Sequence, residues 1–238
     1  MHSPYGFDLV EDCQNCKLRA EGFFCHLSPA TLKAFEAITY TNAYPEAAVL
    51  FVEGQAPRGV YMLCRGRVKL SIASSEGRTI ILRLVLPGEV LGLNAAVSGK
   101  PYQSTAEILE PSQVNFIKRE DFLDLLRGHG EASIHAAQQL SSAYHIACDQ
   151  IRSLGLSQSA PQKLARFLLD WSVKGQETEQ GIRVKLTLTH EEIGQIIGSS
   201  RETVTRALRG FKSSDLVTLQ GSTLLIQNKP ALETFVNG

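Results

Sequence analysis

The sequence predicts an α+β protein with a β domain of jelly-roll type, one long helix and a small C-terminal domain. Three observations support this fold class. Between Tyr44 and Lys118, short β-branched and apolar runs alternate with glycines, which is typical of strands joined by turns. A heptad pattern follows at about Glu131–Leu154. Beyond it, two helix-start signals lie close together before a short hairpin.

The β domain is expected at about residues 28–130, after an N-terminal segment of residues 1–27. A Ser-Pro pair signals a short helix at Thr31–Ile38, and another helix is expected at Asp121–Leu126. Gly66 is among the glycines that should turn the chain between strands. The strands between these helices are predicted at Val49–Val52, Val60–Cys64, Val68–Ile72 and Thr79–Leu86.

The long helix, over residues 131–156, carries an apolar stripe at alternating spacings of three and four residues, as in a coiled coil. Alanines in the stripe allow two helices to approach closely, so we expect it to pair with the same helix of a second copy. The alternative is that this helix packs only on its own β domain. The stripe consists of Ala137, Leu140, Tyr144, Ala147, Ile151 and Leu154.

The C-terminal domain is expected at residues 157–238. Gly155 and the stretch Ser157–Pro161 predict a hinge, and a polar loop is expected at Lys174–Gly181. The segment Val217–Ile226 predicts two strands around a glycine turn, which together form a wing-like hairpin. A helix between the hinge and the loop should bury Leu164, Phe167, Leu168 and Trp171.

Closely spaced capping signals predict a helix-turn-helix at about residues 187–212. Thr189 and Glu192 have the spacing of a capping box, and Gly198 should end the helix that they begin. The next helix is predicted from a second capping box and an apolar face, formed by Ser199, Glu202, Val204, Ala207, Leu208 and Phe211.

The opposite face of this second helix has the chemistry of a DNA-reading surface. An arginine can donate two parallel bonds to guanine, and a glutamate can accept one from cytosine. Hydroxyls near helix N-termini can bind phosphate. The alternative is a solvated face on which the glutamate is only a cap. We expect Arg201, Glu202 and Arg206 to read bases, with Thr205 on the same DNA-binding face, and Thr189, Ser200 and Thr203 to hold the DNA backbone.

Composition and missing motifs exclude several other classes of protein. The formal net charge is zero, so phosphate contacts must come from a local cationic patch. The sequence has no run of 18 apolar residues and no secretory signal at its start, so we expect a cytoplasmic protein without a membrane partner. It also has no nucleophile elbow, Walker loop or Rossmann fingerprint, so we do not expect an enzyme.

The run from Glu192 to Arg206 resembles the helix-turn-helix of the Crp/Fnr family of regulators, and the order of domains is similar over nearly the whole chain. The resemblance implies a β-roll like a cyclic-nucleotide-binding domain and a homodimer on a palindromic operator. It also implies RNA polymerase as a partner. The set Arg201, Glu202 and Arg206 is similar to the branch that reads TGTGA-type half-sites.

The resemblance also indicates what the β domain does not bind. The cyclic-nucleotide branch carries a Gly-Glu-Leu sequence followed by Arg-Ser-Ala, where this chain has Gly92-Leu93-Asn94 and Gln103-Ser104-Thr105. Leu93 thus replaces the glutamate that holds the ribose, and Gln103 replaces the arginine that pairs with the phosphate. Because a phosphodiester buried without a cation is costly, cAMP is not expected. Another small-molecule effector remains open.

Three of the five cysteines lie close together, as Cys13, Cys16 and Cys25, in a C-x2-C-x8-C arrangement. Such clustering indicates metal or redox chemistry, because thiolates two residues apart can bind one metal centre. The arrangement resembles the Fnr branch, in which three N-terminal cysteines and one barrel cysteine hold a [4Fe–4S] cluster. The resemblance implies that oxygen dismantles the cluster, weakens pairing of the long helices and releases DNA.

The fourth ligand is not evident from the sequence. The resemblance implies that the barrel cysteine of the Fnr branch would fall near residues 114–117, where this chain has Asn115 and no cysteine. Zinc, a thiol redox switch or no metal at all are the alternatives to a cluster, and His129, His135 and His145 show no pattern that indicates haem. The candidates for a fourth ligand are Cys64, Cys148, Asp12 and His26.

Overall fold

The computed structural model describes residues 4–10, 12–14, 16, 24–155, 159–173 and 175–237, without the side chains of residues 153–155 and 237. The backbone divides into two compact units, Met1–Ala147 and Cys148–Gly238. Each unit contains its own antiparallel sheet, so the predicted α+β class is confirmed. Over the described residues, no helix is both long and apolar enough to cross a membrane.

The first unit is a β-roll flanked by helices. Its elements, in chain order, are α1 (Pro29–Ala37), β1 (Thr39–Tyr44), β2 (Val49–Phe51), β3 (Gly59–Ala73), β4 (Thr79–Val85), β5 (Val90–Leu91), α2 (Leu93–Ser98), β6 (Thr105–Lys118), α3 (Arg119–Gly128) and α4 (Gly130–Gly155), whose last residues, from Cys148, are counted in the second unit. The strand order is β1-β6-β3-β4, with β2 paired to β6 and β5 paired to β3. Every pair is antiparallel.

Strand β3 separates two apolar cores, because successive side chains of a strand point to opposite faces. Tyr61 and Leu63 belong to the core inside the roll. Val60, Met62 and Cys64 belong to a second core on the other face. The second core also contains residues from the N-terminal segment and from α1, α3 and α4, namely Phe24, Cys25, Leu27, Phe35, Phe122, Ala132 and Ala136.

The prediction of two separate strands around Gly66 was wrong. One strand, β3, runs through this position, and its register against β6 shifts at three places between Leu63 and Val68. Gly66 has φ 93°, and a Cβ placed on it would lie 2.0 Å from the Ser112 Oγ. The glycine therefore permits a close approach between two strands and does not turn the chain.

Helix α4 packs on its own β-roll over its first turns and exposes an apolar stripe further along. Gln139 is buried, and its Oε1 accepts the Val90 N–H at 3.1 Å, while its amide donates to the Val90 carbonyl. Tyr144 and Ile151 are each 70% exposed. In the predicted stripe Ala137 and Ala147 are also exposed and Leu140 is half-buried, whereas the Leu154 side chain lies outside the described residues.

The second unit contains a four-stranded antiparallel sheet in the order β7-β8-β10-β9. Its elements are α5 (Ala160–Ser172), β7 (Gln176–Thr178), β8 (Gly181–Lys185), α6 (His190–Ile197), α7 (Arg201–Ser213), β9 (Val217–Gln220), β10 (Thr223–Ile226) and α8 (Lys229–Asn237). The predicted hairpin is β9 and β10. The predicted loop at Lys174–Gly181 instead contains β7, which pairs with β8 and widens the sheet.

The segment predicted as a hinge is partly helical. Ser159 caps α5 and forms a capping box with Gln162, and Pro161 lies in the first turn. Residues 156–158 lie outside the described part of the chain. The hinge prediction is therefore wrong from Ser159 onward, since a capping serine and an early proline begin a helix there.

Helices α6 and α7 form the predicted helix-turn-helix. Thr189 and Glu192 make both bonds of the capping box, at 2.9 and 3.1 Å, and Gly198 ends α6 with φ 66°. The second cap differs from the prediction. Ser200, and not Ser199, caps α7 and accepts the N–H of the residue three positions on.

The turn between these helices depends on Gly194. The Ser199 N–H donates to the Gly194 carbonyl at 2.8 Å. A Cβ placed on Gly194 would lie 2.6 Å from the Ser199 carbonyl oxygen, which is main chain and cannot rotate away. Gly210, in the exposed part of α7, has no neighbouring atom within 4 Å of such a Cβ.

We predict that Gly194→Ala destabilises the second unit by about 1–3 kcal/mol through overpacking. Gly210→Ala is the matched control, and it should stabilise α7 by about 0.5–1 kcal/mol because alanine favours a helix. Urea unfolding followed by fluorescence of Trp171 measures both changes, since this is the single tryptophan of the chain and it lies in α5. Equal stability of the two variants would contradict the assigned close approach.

Candidate nucleic-acid interface and thiol site

The predicted base-reading residues lie on the outer face of α7. Arg201, Glu202 and Arg206 are exposed, whereas Thr205 is half-buried. The Thr205 hydroxyl donates to the Arg201 carbonyl at 2.9 Å and lies 2.9 Å from the His190 Nδ1. Because the single O–H is used by the carbonyl, the His190 ring must donate to Thr205. Thr205 is therefore held by its neighbours and is less free to meet a base than the other three.

His190 was not predicted from the sequence. It is the first residue of α6, directly after the Thr189 cap, and its ring reaches Thr205 on α7. The contact fixes the two helices of the motif to each other. In the sequence, His190 is marked only by its position after the cap, and this position does not show where its ring points.

The hydroxyls predicted to hold the DNA backbone are engaged in capping. The Thr189 Oγ1 donates to Glu192 at 3.0 Å, and the Ser200 Oγ lies 3.1 Å from the Thr203 Oγ1. Glu202 folds back toward the start of α7, where its own main-chain N–H and the Ser200 hydroxyl lower its pKa. Its carboxylate therefore stays ionised at neutral pH and can accept a bond from a base amino group.

Helix α7 presents a cationic surface. Its four basic residues are exposed, and within the described residues none of them lies within salt-bridge distance of a carboxylate. A cation without a carboxylate partner remains available for phosphate or guanine. These residues are Arg201, Arg206, Arg209 and Lys212.

The positions that hold a cyclic phosphate in the cyclic-nucleotide branch are occupied by different residues here. The Asn94 amide donates to the Gln103 Oε1 at 2.8 Å, so these two side chains bind each other. Phe51 stacks on Tyr102 with ring centroids 4.1 Å apart and lies 5.5 Å from Tyr61, so aromatic rings fill this part of the roll. An open cleft of about 330 Å³ remains beside them, lined in part by Val49, Val52 and Arg58.

The four cysteines of the first unit share one neighbourhood. Cys25 lies in a short 3₁₀ turn, Phe24–His26, and is buried in the second core together with Cys64. Cys13 packs against the same core from the N-terminal segment. The Cys13 N–H donates to the Glu36 carboxylate at 2.7 Å, which anchors that segment to α1.

The pKa values of these thiols are raised. Burial raises the pKa of Cys13 to about 12, with further contributions from Glu36 and Cys16. Burial also raises the pKa of Cys25 to about 12, and Cys16 and Cys13 add to it. For Cys64, burial is again the main cause of a raised pKa, and Cys13, Cys25 and Cys16 follow. At least one other thiol therefore contributes to the raised pKa of each of Cys13, Cys25 and Cys64.

The other candidates for a fourth ligand lie elsewhere or have other roles. Cys148 lies on α4 in the second unit. The Asp12 carboxylate accepts the Gln14 N–H at 2.8 Å. His26 is exposed, although the adjacent Cys25 is buried. The sequence alone did not distinguish these residues from Cys64.

The donor set of the site fits a thiolate-held centre, although its ligands are not assembled. Four thiols are the ligands that iron–sulfur clusters and structural zinc prefer. In the part of the chain that the structure describes, no three His, Cys, Asp or Glu side chains are arranged so that they hold a metal ion as they stand. Binding would therefore require the thiols to turn toward one another and lose their protons.

Two models of known domains match the chain. A model described as a cyclic nucleotide-binding domain matches residues 41–129, and one described as a Crp-like helix-turn-helix domain matches residues 162–235. The structure is similar to FixK2 from Bradyrhizobium japonicum, with a TM-score of 0.74 at 23% identity over 83% of this chain and 97% of that one. This likeness shows the fold.

Curated relatives align over almost the full length. Regulatory protein HlyX of Actinobacillus pleuropneumoniae is 31% identical over 228 residues, which cover 92% of each chain. A CRP-like cAMP-activated global transcriptional regulator of Mycobacterium tuberculosis is 25% identical over 216 residues, 90% of this chain and 96% of its own. Together with the helix-turn-helix and the β-roll, these matches show that the chain belongs to the Crp/Fnr family of DNA-binding transcriptional regulators.

Proposed function

We propose that this regulator responds to oxygen or redox state through an iron–sulfur centre held by Cys13, Cys16 and Cys25. The observation that carries the proposal is that Cys25 is buried in one core and Cys13 packs against the same core. Cys16 contributes to the raised pKa of both. When bound, such a centre would supply a group that oxygen can oxidise.

The raised pKa values favour a metal-held centre over a free thiol switch. A thiol must ionise before it attacks a disulfide or a peroxide, and burial keeps Cys13 and Cys25 protonated at neutral pH. A bound metal stabilises the thiolate directly, so burial does not prevent ligation. Zinc would be held by the same thiols. Acid-labile sulfide distinguishes the two, because an iron–sulfur cluster contains it and a zinc site does not.

The thiol site is connected to α4 by both packing and hydrogen bonds. Cys25 shares its core with Ala132 and Ala136 of α4. Three residues after Cys25, the Ser28 N–H donates to both carboxylate oxygens of Glu131, at 2.9 and 3.0 Å. A change in the position of Cys25 therefore acts on the first turns of the helix that we propose for dimerisation.

The exposed stripe of α4 supports a homodimer. Tyr144 and Ile151 have large apolar side chains that are mostly in contact with solvent in the single chain, which is unfavourable unless a partner covers them. A homodimer paired through this helix would present two copies of α7 to a palindromic operator, whose half-sites lie about 34 Å apart. Arg201, Glu202 and Arg206 would then read each TGTGA-like half-site, and RNA polymerase would be recruited at the promoter.

A small-molecule effector is the second candidate. The open cleft beside Tyr61 and Tyr102 has an apolar rim and one cation, Arg58, which would suit a small anion with an apolar body. The bond between Asn94 and Gln103 and the loss of the phosphate-binding arginine argue against cAMP as that ligand. Unchanged operator affinity between redox states, with a thermal shift caused by a metabolite, would favour this candidate.

We predict that anaerobically purified or reconstituted protein contains iron and acid-labile sulfide and absorbs broadly in the visible-blue region, and that air bleaches this absorption. The physical reason is that reduced cysteine thiolates hold the cluster and oxygen converts it. Metal and sulfide analysis measures the expected result. Colourless protein without iron or sulfide after anaerobic reconstitution would contradict the cluster and leave the DNA-binding assignment intact.

We predict that Arg201→Ala weakens binding to a cognate operator by about 1–3 kcal/mol and relaxes the preference at one base pair, because bidentate bonds to guanine are lost. Arg209→Ala, in a later turn of the same exposed face, is the matched control and should weaken binding to all sequences equally. Fluorescence anisotropy with a set of single-substituted operators measures both. An equal loss on every operator for Arg201→Ala would show that this residue contacts only phosphate.

A further inference from the structure

Cys64 lies at an irregularity between the two central strands of the first sheet. Leu63 pairs with Val114 and Arg65 pairs with Gln113, so Cys64 is the extra residue that no residue of β6 opposes. The bulge leaves the Cys64 main chain outside the regular pairing with β6. Here the side chain points into the second core, on the face that receives the N-terminal segment.

The Cys64 thiol is buried with little hydrogen bonding. Cys64 is 9% exposed. Its S–H makes one weak contact to the Met62 carbonyl, with sulfur and oxygen 3.8 Å apart.

The N-terminal segment is attached to the sheet beside this bulge. Gln113 is fully buried, and its side-chain amide makes two bonds of 2.7 Å to Val10, one to the N–H and one to the carbonyl. The Arg65 guanidinium lies over the Phe7 ring, 5.0 Å from its centroid. Because Gln113 and Arg65 are the pair that follows the bulge, the segment carrying Cys13 and Cys16 is held close to Cys64.

Asn115 lies on β6 next to the bulge and has a buried polar side chain. It pairs with Met62 in the register of β3 and β6 and is 3% exposed. Its Oδ1 has no hydrogen-bond partner among the described residues. A buried acceptor without a partner is costly, so its presence on this face indicates a site that is incomplete in the chain as it stands.

We propose that Cys64 is the fourth ligand of the thiol-held centre, and that Gln113 is a positioning residue that holds Cys13 and Cys16 over it. The fourth thiol of the set thereby comes from β3 in this chain and not from the neighbouring strand β6. This inference rests on the proposed function, since it completes the same centre.

The test is anaerobic reconstitution of the full-length chain with ferrous iron and sulfide. We expect the unsubstituted protein and Cys148→Ser to take up equal amounts of iron and sulfide. Cys64→Ser should hold less iron, and the cluster that remains should bleach at least about tenfold faster in air, because three thiolates hold it less well than four. Equal loading and equal bleaching for Cys64→Ser would overturn the assignment.

A second variant separates loss of a ligand from loss of the fold. In Cys64→Ser/Asn115→Cys the thiol is moved to the paired strand on the same face, and we expect loading to return to near that of the unsubstituted chain. Thermal unfolding followed by circular dichroism checks that each variant is folded. Recovery by this double variant supports ligation, whereas a folded double variant that stays unloaded overturns it.

Binding of cobalt(II) alone, added anaerobically, tests the assignment of Cys64 as a ligand separately from the proposed iron–sulfur function. Each thiolate bound to cobalt adds near-ultraviolet charge-transfer absorption. The absorption per bound cobalt ion should therefore fall in Cys64→Ser by the contribution of one thiolate. If the unsubstituted chain takes up no iron but binds cobalt through Cys64, the iron–sulfur function fails and the ligand assignment stands. If neither metal binds, both fail. Gln113→Ala should lower the affinity for cobalt without changing the absorption per bound ion.

Discussion

Strand β3 is covered on both of its faces, and the rest of the first unit depends on that constraint. Tyr61 and Leu63 face the interior of the roll, while Met62 and Cys64 face a second core that contains Cys25 and the first turns of α4. A strand buried on both faces cannot shift its register without exposing one apolar set or burying polar groups. The thiol region and the proposed dimerisation helix are therefore parts of one packed core, and a change at the thiols has a direct physical route to α4.

The helix-turn-helix could be predicted from the sequence because its capping signals are local. The capping box of Thr189 and Glu192 and the left-handed Gly198 act over a few residues, so the sequence pattern alone placed both helices. The cap of α7 was predicted one residue early, since Ser199 and Ser200 have the same hydroxyl and only the backbone conformation selects Ser200. The contact between His190 and Thr205 was not predictable, because it depends on how the two helices cross.

The first unit was less predictable because its structure depends on contacts between distant parts of the chain. Gly66 has the pattern of a turn residue, but its role is set by Ser112 on another strand. Likewise, nothing in the sequence indicates that Gln113 binds Val10. Nor does it indicate that the register between β3 and β6 shifts at Cys64 and leaves this residue without a pairing partner on β6. The cysteine spacing singled out Cys13, Cys16 and Cys25 as candidates, whereas our proposal of Cys64 as a fourth rests on the strand register.

The oligomeric state tests most directly the proposed link between a redox-sensitive thiol site and the pairing of α4. We expect sedimentation velocity of anaerobically reconstituted protein to show a dimer, and the same sample after exposure to air to shift toward the monomer at equal concentration. Tyr144→Glu, which places a charge in the exposed stripe, should be monomeric in both states. An unchanged distribution before and after air, in a sample whose visible absorption has bleached, would contradict the link between the thiol site and helix pairing.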